Sequence, residues 1–210
     1  MILRPAHPKL PFSVKKILLS LVLCFTYVQA AEATGTYYVD SVAGNDANNC
    51  TSADTACLTV PGAQALIEAL PDPSNTTVKL RGTFTEVVSF VSNSVTKPDT
   101  LDGLHLTAID TNNQPVINTS VDETAAVSVT GINSVTIDHL TITGGTTGIY
   151  VTGSGNTFIS GNEIHHNDIS GISSTTSSTA IQLLYAKSSS IHDNVIHDVA
   201  VTVSDVSYTY

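Results

Sequence analysis

The stretch Ile137-Asp-His-Leu140-Thr-Ile142 sets a frame, Ile-x-x-(Leu/Asn)-x-Ile, that returns twice further along the chain. It recurs as Ile159-Ser-Gly-Asn162-Glu-Ile164 and as Ile191-His-Asp-Asn194-Val-Ile196, so the second step is longer than the first. A recurring short spacing without a helix-length apolar pattern is typical of a solenoid of stacked rungs. The frame therefore predicts a β-helix in which each turn of chain forms one rung.

A second motif recurs with the same spacing as the first. It reads Val127-x-Val129, Ile149-x-Val151 and Ile181-x-Leu183, and its copies are separated by the same shorter and then longer step. The Ser/Thr-rich interval 171–179 accounts for the additional length of the second step. We interpret this interval as a loop inserted between otherwise matched rungs.

The first thirty residues have the pattern of a leader peptide. Four basic residues precede the apolar run from Ile17 to Val28, which is shorter than the roughly 20 residues that span a bilayer. Val28-Gln-Ala30 or Ala31-Glu-Ala33 offers the small residues of a cleavage site. We expect residues 1–30 to be a secretory signal peptide and the protein to be secreted or on the cell surface, without membrane insertion after cleavage.

The composition is acidic. The chain has a formal charge of −10, and without residues 1–30 it keeps four basic and eighteen acidic side chains, which gives −14. Such a surface repels phosphate backbones and anionic lipids, so nucleic acid is excluded as a partner. Polyuronate chains would require cationic clamps or bridging calcium, and four basic residues are a poor clamp. The ligand can therefore be a neutral glycan or an acidic one bridged by calcium. Calcium stays possible without a supporting motif, and we predict no cofactor and no metal site.

Residues 31–77 are predicted to form an N-terminal cap. Cys50 and Cys57 lie in a polar, turn-rich segment, and in an exported protein we expect them to form a disulfide. Between Pro61 and Pro71, apolar residues recur with helical spacing, which predicts a short amphipathic helix. This helix can cover the unpaired backbone and apolar interior of the first rung.

The rungs are predicted to occupy residues 78–210, about five in all. The repeat pattern continues to Tyr210 without a closing helix or polar cap. We therefore expect the chain to be the front part of a longer solenoid, truncated at its C-terminus.

Several of these segments together resemble a known family. Tyr37-Tyr-Val-Asp-Ser-Val-Ala-Gly-Asn-Asp46, the predicted helix, Val78-Lys-Leu-Arg-Gly-Thr-Phe-Thr-Glu86 and the Asn162 and Asn194 rungs resemble the right-handed parallel β-helix proteins of the pectin-lyase-like superfamily. The resemblance implies an all-β, right-handed parallel β-helix solenoid with an N-terminal capping helix. It also implies a ladder of Asn162 on Asn194 in an inward turn, and a saccharide-associated exported protein.

The catalytic motifs of that superfamily are missing. Ser134-Val-Thr-Ile-Asp-His139 is similar to a pectate lyase segment, except that Thr136 stands where those enzymes have Trp. No arginine follows Arg81, so their catalytic Arg has no counterpart. The Asp-Asp, Gly-His-Gly and Arg-Ile-Lys motifs of polygalacturonases do not occur either. Whether the protein is an enzyme therefore stays open; if it is, a polysaccharide lyase or glycoside hydrolase is expected.

Histidines and carboxylates are concentrated in the last two rungs. If residues in these rungs stack at the same spacing as Ile159 and Ile191, His165 stacks on His197 and His166 stacks on Asp198. Asp168 lies close to them in the sequence. We consider His165, His197, Asp198 and Asp168 as catalytic candidates, because imidazole and carboxylate pairs exchange protons near neutral pH. The alternative is that these side chains face solvent beside inward aliphatic residues, as simple alternation along a strand would place them.

Aromatic and polar residues nearby are candidates for substrate binding. Tyr150 and Tyr185 could stack on sugar rings, and His192 and Asp193 could hydrogen-bond to them. Each also suits an exposed strand position. The sequence thus predicts an exported β-helix protein that binds or processes extracellular polysaccharide or a cell-surface glycan. The alternative is a non-enzymatic adhesin or structural module whose Ser/Thr/Asn-rich faces and loop 171–179 make the contacts.

Overall fold

The computed structural model describes residues 35–92, 101–120, 125–155, 157–174 and 177–201. The predicted signal peptide lies outside the described residues. Within them, one α-helix and one short 3-10 helix accompany strands that pair in parallel throughout. No helix in the described ranges is long and apolar enough to cross a membrane.

Three parallel sheets build the solenoid. The first sheet contains β1 (Thr36–Asp40), β2 (Thr77–Arg81), β5 (His105–Ala108), β8 (Thr136–Asp138), β12 (Glu163–His165) and β17 (Ser190–His192). The second sheet contains β3 (Thr83–Phe84), β6 (Val116–Thr119), β9 (Thr141–Gly144), β13 (Asp168–Ser170) and β18 (Val195–Ile196). The third sheet contains β4 (Val88–Val91), β7 (Val127–Thr130), β10 (Thr147–Thr152) and β15 (Thr179–Leu184).

Two small pairs sit at the corners between these sheets. They are β11 (Ile159–Ser160) with β16 (Ala186–Lys187), and β14 (Ser173–Ser174) with β19 (Ala200–Val201). Within the described residues, the chain visits the first, second and third sheets in turn, completes four such circuits and begins a fifth. The parallel β-helix is therefore confirmed.

Inward side chains of successive rungs lie directly over one another and form the core. In the first sheet, one column contains Leu106, Ile137, Ile164 and Ile191. The first three are fully buried, whereas Ile191 in the last described rung is 47% exposed. Alternation along each strand therefore produces a continuous aliphatic interior and leaves the intervening side chains on the surface.

The predicted helix is present as α1 (Val60–Glu68), which ends two residues before the expected Leu70. Thr59 caps it by accepting a hydrogen bond from the backbone amide of Gly62 at 3.1 Å. Its buried face contains Val60, Ala63 and Ile67, and it contacts β1 and β4. The helix therefore covers the end of the solenoid interior, as the spacing of its apolar residues predicts.

The disulfide Cys50–Cys57 also forms, and it belongs to the same cap. The carbonyl oxygens of Cys50 and Cys57 accept hydrogen bonds from the amides of Tyr38 and Asp40 in β1, both at 2.8 Å. The cross-linked loop thereby occupies the outer edge of β1, which would otherwise be the open edge of the first sheet.

The stacking register differs from the one predicted by the first motif. Ile137, Ile164 and Ile191 share a column at two equal steps, while Ile159 pairs with Ala186 at a corner. The second motif is placed correctly, because Val127, Ile149 and Ile181 pair in the third sheet. The steps of the two motifs differ because the chain is lengthened at two corners, one between β10 and β11 and one between β13 and β15.

The predicted ladder of Asn162 on Asn194 is wrong for the same reason. Asn194 stacks on Asn167, whose backbone amide donates to the Asn194 Oδ1 at 3.0 Å. Asn162 occupies a different corner, where its Oδ1 accepts from the Val135 amide and its Nδ2 donates to Ser189 Oγ. Asn162 and Asn167 therefore lie at two different corners of the same rung. Both side chains are buried and hydrogen-bonded.

Candidate functional site

The outward face of the first sheet carries a continuous column of polar side chains. Alternation places Lys79, Thr107, Asp138, His165 and His192 in one column, opposite in direction to the aliphatic column of the same strands. Rungs lie about 4.8 Å apart, so each of these side chains is within reach of the next. We call this set of five residues the polar column.

Asp138 is the centre of this face. His105 Nε2 donates to its Oδ2 at 2.7 Å, and His139 Nδ1 donates to its Oδ1 at 3.0 Å. The hydroxyl of Thr107 donates to the same Oδ1. His165 Nε2 lies 3.8 Å from Oδ2 on the next rung. The carboxylate is only 8% exposed, so both its oxygens are enclosed by donors.

These donors determine the charge of Asp138. Burial raises the pKa of the carboxyl, but the hydrogen bonds from His105, Thr107 and His139 outweigh burial and hold that pKa well below its usual range. Asp138 is therefore an anion at any ordinary pH. An ionised carboxylate with three donors orients its imidazole neighbours rather than donating a proton itself.

Four imidazoles continue from Asp138 towards the last described rung. His165 stacks on His192 with ring centroids 5.1 Å apart and planes 7° apart, and His139 stacks on His166 at 5.4 Å and 6°. The Nδ1 atoms of His165 and His166 lie 2.7 Å apart, which makes one of them the donor. The stacked rungs thus convert single histidines into a connected row.

Carboxylates hold the end of this row. His192 donates from Nδ1 to Asp193 at 2.9 Å and from Nε2 to Glu163 at 3.0 Å. These two hydrogen bonds, with Asp193 the stronger influence, raise the pKa of His192, while its imidazole lowers the pKa of Asp193 and of Glu163. The cation of His192 is therefore stabilised between two anions.

Two open grooves flank Asp138 and His139. The larger, of about 630 Å³, is lined by side chains that include Lys79, His105, Thr107, Asp138 and His139. The smaller, of about 420 Å³, is lined by His139, His166 and Asn167 among others. His139 lines both grooves, which places its imidazole between the two spaces.

The structure separates the histidines and carboxylates among the predicted site residues into two groups. His165, His192 and Asp193 belong to the row described above. His197 lies beyond the second sheet, where it bonds to Asp168 at 3.2 Å and to Asp198 at 2.8 Å, and these contacts raise its pKa, that from Asp198 most strongly. The predicted stacking of His165 on His197 is wrong, because His165 pairs with His192 in the first sheet.

The two candidate tyrosines lie on other parts of the solenoid. Tyr150 is half-buried on β10 in the third sheet. Tyr185 is exposed in the turn after β15, where its ring meets Phe158 edge-on at 5.9 Å and Lys187 Nζ lies 4.0 Å over the Phe158 ring. This aromatic contact, which sequence analysis did not identify, is distinct from the polar column.

Sequence analysis also missed His105, Thr107 and His139 as partners of Asp138. The available indication was local: His105-Leu106-Thr107 and Ile137-Asp138 both alternate polar and aliphatic residues, as strands do. No repeat motif connects these two strands, although they pair directly in the first sheet. Among the described residues, no group of three or more His, Cys, Asp or Glu side chains could hold a metal ion.

Comparison with known proteins defines the class of this molecule. The family profile described as "Right handed beta helix region" matches residues 85–208, which is more than half of the chain. The chain therefore belongs to the right-handed β-helix family, and the predicted handedness is confirmed. No curated protein matches the sequence significantly.

A solved structure shows the same fold. It is the crystal structure of the GH136 lacto-N-biosidase from Eubacterium ramulus, solved as a selenomethionine derivative, with a TM-score of 0.56 and 13% sequence identity. The similarity covers 90% of this chain and 38% of that one. The chain thus spans well under half the length of that enzyme, and the likeness concerns the fold alone.

Proposed function

We propose that this chain is an exported β-helix protein that binds an extracellular or cell-surface polysaccharide along the outward face of its first sheet. The observation that carries the proposal is the groove of about 630 Å³ beside Asp138. Four of its polar side chains, His105, Thr107, Asp138 and His139, are held in place by hydrogen bonds to one another. Little order has to be gained at these side chains when a ligand binds.

The chemistry of this groove suits sugar hydroxyls. Hydroxyls both donate and accept hydrogen bonds, and the lining offers both kinds of group: threonine hydroxyls at Thr36, Thr77 and Thr107, imidazoles at His105 and His139, and the ammonium of Lys79. The groove is open rather than enclosed, and it follows the stacking direction across several rungs. An extended chain with repeating hydroxyls fits such a surface better than a compact cofactor does.

The charge of the protein narrows the class of glycan. The chain carries a formal charge of −10, and Lys79 is the one Lys or Arg side chain in the lining of this groove. A polyanionic saccharide would meet little compensating charge. A neutral polysaccharide is therefore the ligand class that we propose. The carbohydrate-active enzyme with the same fold supports a saccharide ligand by analogy.

Affinity measurements on a panel of polysaccharides test this function. We expect the mature chain to bind at least one neutral polysaccharide by affinity electrophoresis and isothermal titration calorimetry. The double variant His105→Ala/Thr107→Val should weaken binding at least about 10-fold, equivalent to about 1.4 kcal/mol. His197→Ala, a histidine outside the groove, serves as the matched control. No binding to any neutral polysaccharide, or equal loss in the control, would contradict the proposal.

A further inference from the structure

Asp138 and His139 have the geometry of an oriented acid-base pair. His139 donates from Nδ1 to Asp138 Oδ1 at 3.0 Å, which fixes the tautomer that leaves Nε2 unprotonated in the neutral ring. Among the described residues, Nε2 of His139 takes no hydrogen bond. This atom is the distal nitrogen of the ring, and its side chain lines both grooves. A basic nitrogen is therefore presented to the ligand space.

The neighbouring His105 is less suited to the same role. It contacts Asp138 through Nε2 at 2.7 Å, so its remaining nitrogen is Nδ1, which lies next to its own backbone. Together with Thr107, His105 instead keeps Asp138 ionised. His139 has a left-handed backbone with φ of 54°, a conformation that histidine, asparagine and aspartate adopt more often than other residues with a side chain.

The available proton carriers limit the reaction that this pair can perform. Glycoside hydrolysis requires a protonated carboxylic acid beside the leaving oxygen. In the groove, Asp138 is ionised by its three donors, and Asp110 accepts hydrogen bonds from the backbone amide and the side chain of Asn112. Glu163 and Asp193 are both bonded to His192. An imidazole base oriented by a carboxylate can instead activate water, as the histidine of a catalytic triad activates a hydroxyl. Hydrolysis of an ester suits such a base.

We propose that the groove removes O-acyl groups, such as acetyl esters, from the neutral polysaccharide that it binds; this inference rests on the proposed function. His139 Nε2 takes a proton from water while the water oxygen attacks the acyl carbon and the carbonyl π electrons move to the oxygen. Lys79, in the lining of the same groove, stabilises this oxyanion. The intermediate then breaks its bond to the sugar oxygen, which receives the proton from His139. The products are a carboxylic acid and a free sugar hydroxyl.

His139 is the catalytic residue in this scheme, and Asp138 is a positioning residue that acts through it. Substitution of His139 should therefore abolish turnover without removing the groove. Substitution of Asp138 should lower kcat and leave KM for the acetylated polysaccharide nearly unchanged. Although Asp138 lines the groove, both its oxygens are occupied by hydrogen bonds from His105, Thr107 and His139. A merely structural role for Asp138 would alter both constants together.

The test is acetate release from acetylated xylan and acetylated glucomannan, with 4-nitrophenyl acetate as a general ester probe. The variant His139→Asn suits this test because asparagine tolerates the left-handed backbone. We expect it, and Asp138→Asn, to release acetate at least about 100-fold more slowly than the unmodified protein. His197→Asn is the matched control. Like His139, His197 bonds through Nδ1 to a neighbouring aspartate, here Asp198, but it lies outside the groove. This variant should keep full activity.

Binding of the deacetylated polysaccharides is measured in parallel. If the unmodified protein binds these glycans but hydrolyses no ester faster than His139→Asn does, the proposed activity is overturned and the binding function stands. If it binds neither form, the proposed function itself fails. Retained thermal unfolding and circular dichroism spectra show that a loss of activity in a variant is not a loss of fold.

Discussion

Asn194 accepts two hydrogen bonds from Asn167 at its Oδ1, one from the backbone amide and one from the side-chain Nδ2, both at 3.0 Å. The same Nδ2 also donates to the carbonyls of Ile137 and His165, and Asn167 Oδ1 accepts from the Leu140 amide. A single buried amide therefore connects three rungs.

Replacing this amide should destabilise the solenoid strongly. We expect Asn167→Ala to lower the free energy of unfolding by about 2 to 4 kcal/mol, because it leaves buried backbone groups without partners. Asn113→Ala, at an exposed turn, should change it by less than about 0.5 kcal/mol. Urea unfolding followed by circular dichroism measures both. Similar losses in the two variants would contradict a role of the ladder in stability.

The Asp138 carboxylate should make stability depend on acid pH. Its pKa in the folded protein lies below its unfolded value of about 3.9. The stabilisation that it provides is therefore complete above about pH 4 and is lost as pH falls further. We expect Asp138→Asn to unfold at a lower temperature than the unmodified protein at pH 7, with the difference shrinking towards pH 3. A difference that stays constant over this range would contradict the expectation.

The pKa of His192 should be higher than that of an ordinary histidine. Its raised pKa comes first from Asp193 and second from Glu163, so the stabilisation that its charged form provides is present below about pH 6.5 and is lost as pH rises through the folded pKa. We expect Asp193→Asn to lower the pKa of His192 more than Glu163→Gln does, as measured by NMR of the ring carbons. The pKa of His197, which has different partners, is the internal reference.

The disulfide should contribute measurably to stability. The sequence separation of Cys50 and Cys57 is seven residues, and closing so short a loop contributes about 2.5 kcal/mol in the chain-entropy treatment. We expect Cys50→Ala/Cys57→Ala, or reduction by dithiothreitol, to lower Tm. The double variant itself should no longer respond to the reductant. A further fall in its Tm on reduction would show that the agent acts elsewhere.

Position within a column should decide the cost of a core substitution. Ile164 is fully buried between Ile137 and Ile191, whereas Ile191 is 47% exposed. Removing the side chain by Ile164→Ala should cost about 3 kcal/mol, and Ile191→Ala less than about 1 kcal/mol. Equal costs in denaturant unfolding would indicate that Ile191 is covered in solution.

Much of the fold was predictable from the sequence because its determinants are local. The apolar spacing in α1, the prolines at 61 and 71, the strand at Thr36–Asp40 and the paired cysteines each act within a short segment. The second motif located the third sheet correctly because aliphatic residues alternate in all three of its copies.

The register of the first sheet was not predictable from one motif alone. Ile164-His-His-Asn167-Asp-Ile169 also fits the frame Ile-x-x-Asn-x-Ile, and it is this copy that stacks between Ile137 and Ile191. The copy at 159–164 occupies the preceding corner, which needs an inward asparagine for the same reason. Because two corners of one rung have the same sequence pattern, the residue types alone could not show which copy stacks on Ile137. The spacing could have shown it, since the step from Ile137 to Ile164 equals the step from Ile164 to Ile191.

The candidate site depended on this register. His165 and His192 were identified as polar residues, but their neighbours follow from which residues stack. Asp138 is bonded to His139, which follows it in the chain, and to His105 and Thr107, which both lie on β5 in the preceding rung and are distant in sequence. The local alternation of polar and aliphatic residues places these side chains on the outward face, but only the pairing of the strands determines which of them meet.

The two enlarged corners, between β10 and β11 and between β13 and β15, leave the parallel pairing of the neighbouring strands undisturbed. The length of a corner can thus change without changing how the rungs stack. A foreign peptide, an epitope or a fluorophore attachment sequence spliced into either corner would be displayed on a rigid frame without rewriting the interior. The same independence gives evolution a means of diversifying the surface while the stack is inherited unchanged.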